Sequence, residues 1–296
     1  MFISRAMVAS SAPRLVGCDT CSLPGDVPSV DPWPLAKRMI YKSAAMEIPP
    51  ALPAASILLV RDAPDGLEVL MVRRHATSSF AGALVFPGGK VDAADVALAI
   101  ESRADDLLAY RIAAIRETWE EAGILLARRA GASPDDAQMD RLAKAYRHRA
   151  KQMATIVALE AIELATDRLV RFAHWITPAA EPRRFDTQFF IAVAPAGQRP
   201  APDGREALEC FWFTPDAALR EADAGRALVV FPTRLNLLKL ARSRTTDEAV
   251  GRARSEPIVT VQPEMIVTEN ERIVRISADS GYEPTEIRYP AMRRTP

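Results

Sequence analysis

The sequence predicts an α/β fold, in which strands alternate with helices in one domain. Three observations point there. Short strand-like runs recur along the chain and alternate with stretches of helical period. One of those stretches, "AAIRETWEEAGILL" from Ala113 to Leu126, has a full apolar stripe that needs a sheet or helix to pack on. The chain is 296 residues long and 49% hydrophobic, enough to bury one large core or two small ones.

The elements follow in order. Residues 1–48 are rich in Ser, Pro and Ala without sustained period, so a disordered extension is expected, with Met46 as an alternative start. "CDTC", Cys18 to Cys21, has zinc-like spacing but no second pair, and His75 is far off, so no zinc site is expected. "LVGC" resembles a lipoprotein cleavage box, but Arg14 interrupts the short apolar region before it; an acid-poor, Arg/Ser-containing start also suits an organelle transit peptide. Ala55–Val60 reads as a strand and Leu67–Arg74 as its hairpin partner, with "APDG" as the turn and Gly66 supplying positive φ. A Gly-Gly turn follows Leu84–Phe86. Val96–Tyr110 reads as helix running into the next, and Ser133-Pro134-Asp135 as the start of a long helix to about Gln152. Ala154–Ala165 reads as a further helix. Leu169–Ile176, Gln188–Val193 and Leu208–Phe213 read as strands, with helices starting at Asp216 and Pro232. Residues 49–255 therefore form the expected domain, and residues 256–296 a tail that can make a hairpin turning at "TENERI".

Composition narrows the function. Lys plus Arg and Asp plus Glu number 38 each, which gives no electrostatic case for binding nucleic acid as a polymer or an anionic membrane. No apolar run nears the ~20 residues of a membrane span. Three cysteines make no disulfide framework, and a reducing cytoplasm is the simplest setting. Oligomeric state is not readable, and a homodimer is compatible with the sequence.

The helix within Ala113–Leu126 carries the chemistry. At about 100° per residue, Glu117, Glu120 and Glu121 share an arc opposite Leu108, Ile112, Ile115, Trp119 and Ala122. Gly123 suits a left-handed C-cap. Acids at a helix C-terminus oppose the macrodipole, and Glu117 and Glu121 repel at i, i+4. Arg116 relieves only part of that. Two readings are open on these residues alone, a solvated face and a cage for a divalent cation. The segment "LVFPGGKVD", Leu84 to Asp92, favours the cage, because Gly88-Gly89 lets backbone NH groups approach an oxygen-rich ligand.

Together these residues resemble a Nudix hydrolase, whose box runs Gly-x5-Glu-x7-Arg-Glu-U-x-Glu-Glu-x-Gly-U, with U apolar. Gly89 matches the first Gly; Arg116, Glu117, Thr118, Glu120, Glu121, Gly123 and Ile124 match the second half, Thr118 poorly. Six after Gly89 stands Asp95 in place of Glu, so that acidic position falls to Asp95 or Asp92. Gly89 precedes Arg116 by 27 positions (116 − 89) where the pattern has 14, so about 13 residues are inserted. The split box, "FAGALVFPGGKVDAAD", "WITP…RRFDTQFF" and "CFWFTP" are similar to the peroxisomal coenzyme A diphosphatase subfamily and its bacterial relatives. The resemblance spans roughly residues 56–241.

The resemblance implies an α/β/α sandwich with helical insertions at 93–109 and 133–166. It also implies hydrolysis of a diphosphate linkage in a small nucleotide, with Mg²⁺ or Mn²⁺ as cofactor. Glu117, Glu120 and Glu121 are the expected metal ligands, with the Gly88 and Gly89 backbone beside them. Arg116 is expected to orient a carboxylate, and the general base lies between Glu120 and Glu206. Coenzyme A or its acyl esters are the leading substrates, with ADP-ribose or NADH-type dinucleotides as alternatives and a non-catalytic nucleotide-binding module as a third reading. In the coenzyme A signature Leu-Leu-Thr-x-Arg-Ser-x3-Arg-x3-Gly-x3-Phe-Pro-Gly-Gly, Leu70, Arg73, Gly82 and Phe86 to Gly89 fit. Met71, Arg74 and Ser78 depart from it. Arg73, Gly88, Gly89, Arg183 and Arg184 are candidate substrate-binding residues. So is the basic stretch Arg141, Lys144, Arg147, Arg149 and Lys151, against the plainer reading of a solvated helix face. His75, His148 and His174 are assigned no role, and Trp175, Phe189, Phe190 and Trp212 are assigned to the core.

Overall fold

The structure is a computed structural model describing residues 48–75, 82–102, 105–132, 134–146 and 152–290. The expectations for residues 1–47, Ser78, Ser133, Arg147, His148, Arg149 and Lys151 lie outside the described residues.

The chain opens with β1 (Ala51–Ala63) and β2 (Gly66–Arg74), joined by the expected hairpin with Val60 opposite Val69 and Gly66 at φ 113°. Beyond that register the strands part. Into the fork go β3 (Leu84–Val85), paired to β2, and β4 (Gly88–Lys90), paired to β1. Gly88-Gly89 is therefore a short strand clamped onto β1, not a free turn. Pro87 removes a backbone donor at its start, and its carbonyl accepts from Ile57 N–H and Ser56 Oγ.

The stretch read as one helix from Val96 is two, α1 (Ala93–Ser102) and α2 (Leu108–Ala122). Between them Asp105 accepts from Leu107 N–H and Arg111 Nη1, which ties the start of α2 to the turn. Gly123 ends α2 at φ 71°, as expected of a C-cap. Two short strands, β5 (Ala127–Arg128) and β6 (Glu163–Leu164), pair antiparallel around the helical insertion. Within it lie α3 (Asp136–Tyr146) and α4 (Met153–Glu160). Asp135 caps α3, accepting from Gln138 N–H while its own N–H donates to Gln138 Oε1. The expected helix to Ala165 stops at Glu160, because Ala161 turns left-handed and Ile162 leads into β6.

The expected strands appear as β7 (Val170–Ile176), β8 (Arg184–Val193) and β9 (Ala207–Phe213). Helices α5 (Pro215–Asp223) and α6 (Phe231–Leu240) start where expected, and Thr214 caps α5 through Ala217 N–H. Helix α7 (Thr246–Ser255) was not foreseen; its cap is Thr245, which accepts from Glu248 N–H. Then come β10 (Thr260–Val261), the expected hairpin β11 (Glu264–Val267) and β12 (Glu271–Arg275), and a third strand β13 (Glu286–Pro290).

The main sheet has eight strands, running β10-β7-β8-β1-β2-β3 with β4 also on β1 and β9 also on β2. It is mixed: β1 is parallel to β8 and β7 to β10, and the remaining pairs are antiparallel. Alternation along the strands sends Ile57, Leu59, Leu70 and Val72 to one core layer with Ile115 and Trp119 of α2. Leu58, Val60, Val69 and Met71 go to the other, with Phe231 and Leu235 of α6. The sheet is thus a filled sandwich with helices on both faces. The segment after 255 is part of that packing: β10 extends the sheet, and Tyr282 is buried against Trp175, with ring centroids 5.2 Å apart.

Candidate active site

Helix α2 is buried nearly all round, including its acidic face. Its Trp119 is fully enclosed, a burial whose loss would cost about 3–5 kcal/mol. Thr118, the poor match at an apolar box position, is tolerated because its hydroxyl donates to the Ala114 carbonyl one turn back, at 2.6 Å.

Arg116 is the centre of the acidic cluster and is 1% exposed. Its Nε donates to Asp95 Oδ1 at 3.0 Å and its Nη2 to Asp95 Oδ2 at 2.9 Å, a two-pronged pair. Nη1 donates to Glu117 Oε1 and to Glu120 Oε2, each at 2.9 Å, and Nη2 also reaches the Lys90 carbonyl at 2.8 Å. Burial opposes its charge, but the Asp95 hydrogen bonds and the charges of Glu117, Asp95 and Glu120 hold its pKa above the ordinary arginine value. Arg116 thus joins the carboxylates of Asp95, Glu117 and Glu120.

The choice between Asp92 and Asp95 resolves to Asp95. Its side chain is 1% exposed, whereas that of Asp92 is 38% exposed and lies 3.9 Å from Arg116. Asp95 sits in the first turn of α1 and also accepts from Asp92 N–H at 2.9 Å, so the loop folds back onto the acid that closes it.

The three glutamates occupy distinct environments. Glu121 is 2% exposed and accepts from Gly88 N–H at 3.0 Å, which fixes α2 to the glycine strand. Burial pushes its pKa up to about 8; Arg74 and the Gly88 N–H pull it down, and Glu117 and Glu206 push it up. Burial likewise pushes Glu117 up to about 7, against Arg116, with Glu120 and Glu206 adding to the rise. Glu120 is the most open of the three, its side chain 22% exposed.

Gly89 explains its own identity. A Cβ there would fall on the Glu117 carboxylate, and one at Gly88 would strike the Ala55 carbonyl and lie 2.7 Å from Ser56 Cα. Helix and glycine strand therefore touch closely enough to place the Gly89 backbone beside Glu117.

The donor set fits a hard divalent cation. Hard cations take carboxylate and carbonyl oxygen, and the carboxyls of Glu117, Glu120 and Glu121 gather on one helix face against the Gly88-Gly89 strand. Among the described residues, no three His, Cys, Asp or Glu side chains stand as a finished ligand group, and Arg116 holds Glu117 and Glu120 in ion pairs.

The other candidates separate. Glu206 is exposed at the entry to β9; its N–H is held by Asp203 and its carbonyl accepts from His75 N–H, and both Glu117 and Glu121 feel its charge. Arg184 is 9% exposed and donates to the carbonyls of Thr177 and Pro49, which ties it to the strand entry. Arg183 is exposed with its guanidinium 6.0 Å from the Phe185 ring centre. Arg73 points to the sheet face opposite α2, in the row of Val69 and Met71, paired with Glu209 at 2.7 Å and over the Phe211 ring. Its neighbour Arg74 takes the α2 side. Sequence reading gave Arg74 no binding role, and the two-residue alternation of β2 singles it out only once the face that α2 covers is known. Arg141 is tied to Glu160 at 2.8 Å. His174 joins β7 to β8 and β10 through Asp186 and Thr260.

A mixed sheet between helix layers, with a glutamate-rich helix pressed on a Gly-Gly strand, is the arrangement expected of a diphosphate hydrolase. The sequence profile of the NUDT19 Nudix domain matches residues 98–240. Nudix hydrolase 7 of Caenorhabditis elegans is 29% identical over 221 residues, covering 73% of this chain and 70% of that one. The acyl-coenzyme A diphosphatase NUDT19 of Xenopus laevis is 25% identical over 240 residues, and the match spans 61% of each chain. The crystal structure of a Nudix hydrolase from Alicyclobacillus acidocaldarius superposes with a TM-score of 0.61 at 27% identity, over 71% of this chain and 100% of that one. These likenesses support a Nudix hydrolase, an enzyme acting on diphosphate bonds, that resembles the coenzyme A diphosphatase subfamily. None of the helices among the described residues is long and apolar enough to cross a membrane.

Proposed function

We propose that this enzyme hydrolyses the diphosphate linkage of coenzyme A or its acyl esters, giving 3′,5′-ADP and (acyl-)phosphopantetheine, with Mg²⁺ or Mn²⁺ as cofactor. The observation that carries the reading is the buried acidic cluster of Glu117, Glu120 and Glu121 against Gly88-Gly89. Glu117, Glu120, Glu121 and the Gly89 backbone would hold the metal, which when bound polarises a phosphoryl oxygen and lowers the pKa of water.

The chain's own residues do the rest. Arg116 and Asp95 lock the helix face so that the carboxylates meet substrate in one arrangement. Water adds to one phosphorus, the bridging P–O bond breaks, and the leaving phosphate takes the electron pair. The proton lost by water goes to a carboxylate. Glu120 suits that role as the most open of the three, and the exposed Glu206 is the alternative. The acyl-coenzyme A preference is supported by the name of the Xenopus laevis relative, and the reducing cytoplasmic setting by sparse cysteine use.

A substrate panel tests this directly. Coenzyme A, an acyl-coenzyme A, ADP-ribose and NADH are incubated with Mg²⁺ or Mn²⁺, and products are separated by chromatography. The reading expects 3′,5′-ADP from the coenzyme A substrates and no turnover in chelator. Faster cleavage of ADP-ribose or NADH would overturn the substrate assignment and leave the hydrolase intact. Glu206→Gln separates the two candidate bases: a loss of several orders of magnitude in kcat with fold and metal binding unchanged assigns the proton to Glu206, and near-normal turnover assigns it to Glu120.

A further inference from the structure

Strand β2 delivers two adjacent arginines to opposite faces of the sheet. Arg73 continues the row of Val69 and Met71 and is occupied by Glu209. Arg74 continues the row of Leu70 and Val72, which pack with Trp119 and Ile115 of the catalytic helix. The backbone around Arg74 is held: its N–H donates to the Ala83 carbonyl at 3.0 Å, and its carbonyl accepts from Gly82 N–H at 3.2 Å. The partner strand β9 bulges here, with Glu209 opposite Arg73 but Ala207 opposite Arg74, so Leu208 is the extra residue. Bulges of this kind re-aim side chains at the end of a strand.

The guanidinium is close enough for its charge to act on Glu121, the carboxylate that receives Gly88 N–H. Yet its Nε is buried and has no hydrogen-bond partner among the described residues. Arg73 Nε also lacks a hydrogen bond, but the Glu209 carboxylate stands 2.7 Å from it, whereas Arg74 has no ion pair among the described residues, so its buried donor needs a reason. Glu121 is committed to Gly88, and the side chain that would pair with Arg73 lies on the other face. What remains beside a glycine strand and a guanidinium is a place for an anion.

We propose that Arg74 is a substrate-binding residue, whose Nε donates to a non-bridging oxygen of the substrate diphosphate beside Gly88-Gly89. The inference rests on the acidic cluster being the diphosphate site. It also gives a reason for the departure from the coenzyme A signature, in which this position is Ser: here a fixed cation meets the phosphates from the strand side.

The test is calorimetric titration of the full chain with α,β-methylene-ADP, which carries an uncleavable diphosphate analogue, with no added metal. Arg74→Gln should weaken binding at least tenfold. Arg74→Lys should recover only part, since an ammonium keeps the charge but lacks the Nε donor. In a Glu121→Gln background the Arg74→Gln loss should persist at tenfold or more. Binding within twofold of wild type in Arg74→Gln overturns the proposal, as does full affinity in Arg74→Lys. A loss that vanishes in the Glu121→Gln background also overturns it, showing that Arg74 only balances Glu121. Thermal melts identify any variant that fails to fold, in which case Arg74→Lys carries the decision. Absence of binding by the wild-type chain both without metal and with Mg²⁺ would overturn the diphosphate-site reading and Arg74 with it.

Discussion

Removing Arg116 should be the most damaging single change at the site, and mainly through stability. Arg116→Met keeps length and apolar contact but deletes the donors to Asp95, Glu117, Glu120 and the Lys90 carbonyl. Asp95, 1% exposed, would retain the Asp92 N–H and no guanidinium. Breaking a buried ion pair from one side costs about 3–5 kcal/mol, because a charge is left behind without its partner. With a further buried carboxylate at Glu117, the upper half of that range applies. At about 2–4 °C per kcal/mol for a domain of this size, the melting temperature should fall by roughly 8–20 °C. Thermal melts by circular dichroism and chemical denaturation provide the measurement. Arg116→Lys should recover less than half, since an ammonium cannot make the two-pronged Asp95 contact. Pairing Arg116→Met with Asp95→Asn should return at least ~1 kcal/mol of the loss, a coupling that distant residues do not show. A loss below about 1 kcal/mol, or Asp92→Asn proving as harmful as Asp95→Asn, would refute the assignment of Arg116 and Asp95 as the cluster's clamp.

Other predictions concern the same cluster and the C-terminal segment. Glu117 and Glu121 have folded-state pKa values raised to about 7 and 8 from the model-compound 4.5. The folded state therefore holds protons that the unfolded state releases, so the pair's contribution is most favourable at low pH. It is lost as pH rises from about 4.5 to 8 and is flat above. For one carboxyl of the pair the change is on the order of 3 kcal/mol. Metal-free wild type should lose stability between pH 5.5 and 8 relative to Glu117→Gln/Glu121→Gln, measured by denaturant titration at each pH; parallel profiles would disprove the burial argument. Mn²⁺ should raise the wild-type melting temperature more at pH 8 than at pH 5.5. The two glycines should behave differently. Gly89→Ala meets a movable carboxylate, so it should fold and lose at least tenfold in kcat, whereas Gly88→Ala meets the β1 backbone and should destabilise the fold outright. Tyr282→Phe removes the hydroxyl that accepts from Trp175 Nε1 and donates to Asn236 Oδ1 at 2.7 Å. It should cost about 1–3 kcal/mol of stability with kcat unchanged.

Much of this architecture was legible from local patterns. The β1–β2 hairpin, the α2 stripe with its Gly123 cap, and strands β7 to β9 all follow from period and turn residues. Errors arose where tertiary contact overrode local tendency. The helix read as continuous from Val96 breaks before Leu108, because Asp105 finds Arg111 and Leu107 N–H across a turn. Gly88-Gly89 reads as a turn, yet it pairs with β1 because the fork between β1 and β2 leaves backbone groups to satisfy. Helix α7 escaped notice because its buried contacts are Thr246, Ala249 and Ala253, small residues that leave a weak apolar stripe. At the site, the glutamate helix was visible but the identities of its supporting residues were not. Arg184 reads as a substrate arginine until two carbonyls are seen to occupy it, and Arg73 and Arg74 are indistinguishable until alternation is anchored to a face.

The inserted residues before α2 pose the sharper question of how a split box can work. In an uninterrupted pattern, a Glu at a fixed distance after the first glycine would belong to the loop before the helix. Here the corresponding residue, Asp95, sits in the first turn of a new helix, and α1 with its turn then carries the chain away and back before α2 begins. The insertion lies after the acid, so the spacing from Gly89 to Asp95 stays short and only the return path lengthens. Lengthening a surface connection adds little closure entropy, whereas moving the acid would strand Arg116. Asp has one methylene fewer than Glu, and the folding of its loop makes up the reach: the Lys90 carbonyl and the Asp95 carboxylate both close on the same guanidinium edge. A shorter acid on a closer backbone thus stands where a longer acid would otherwise reach. By that reasoning Asp95→Glu should overfill a pocket that is 1% exposed and destabilise the chain, even though it restores the family's residue.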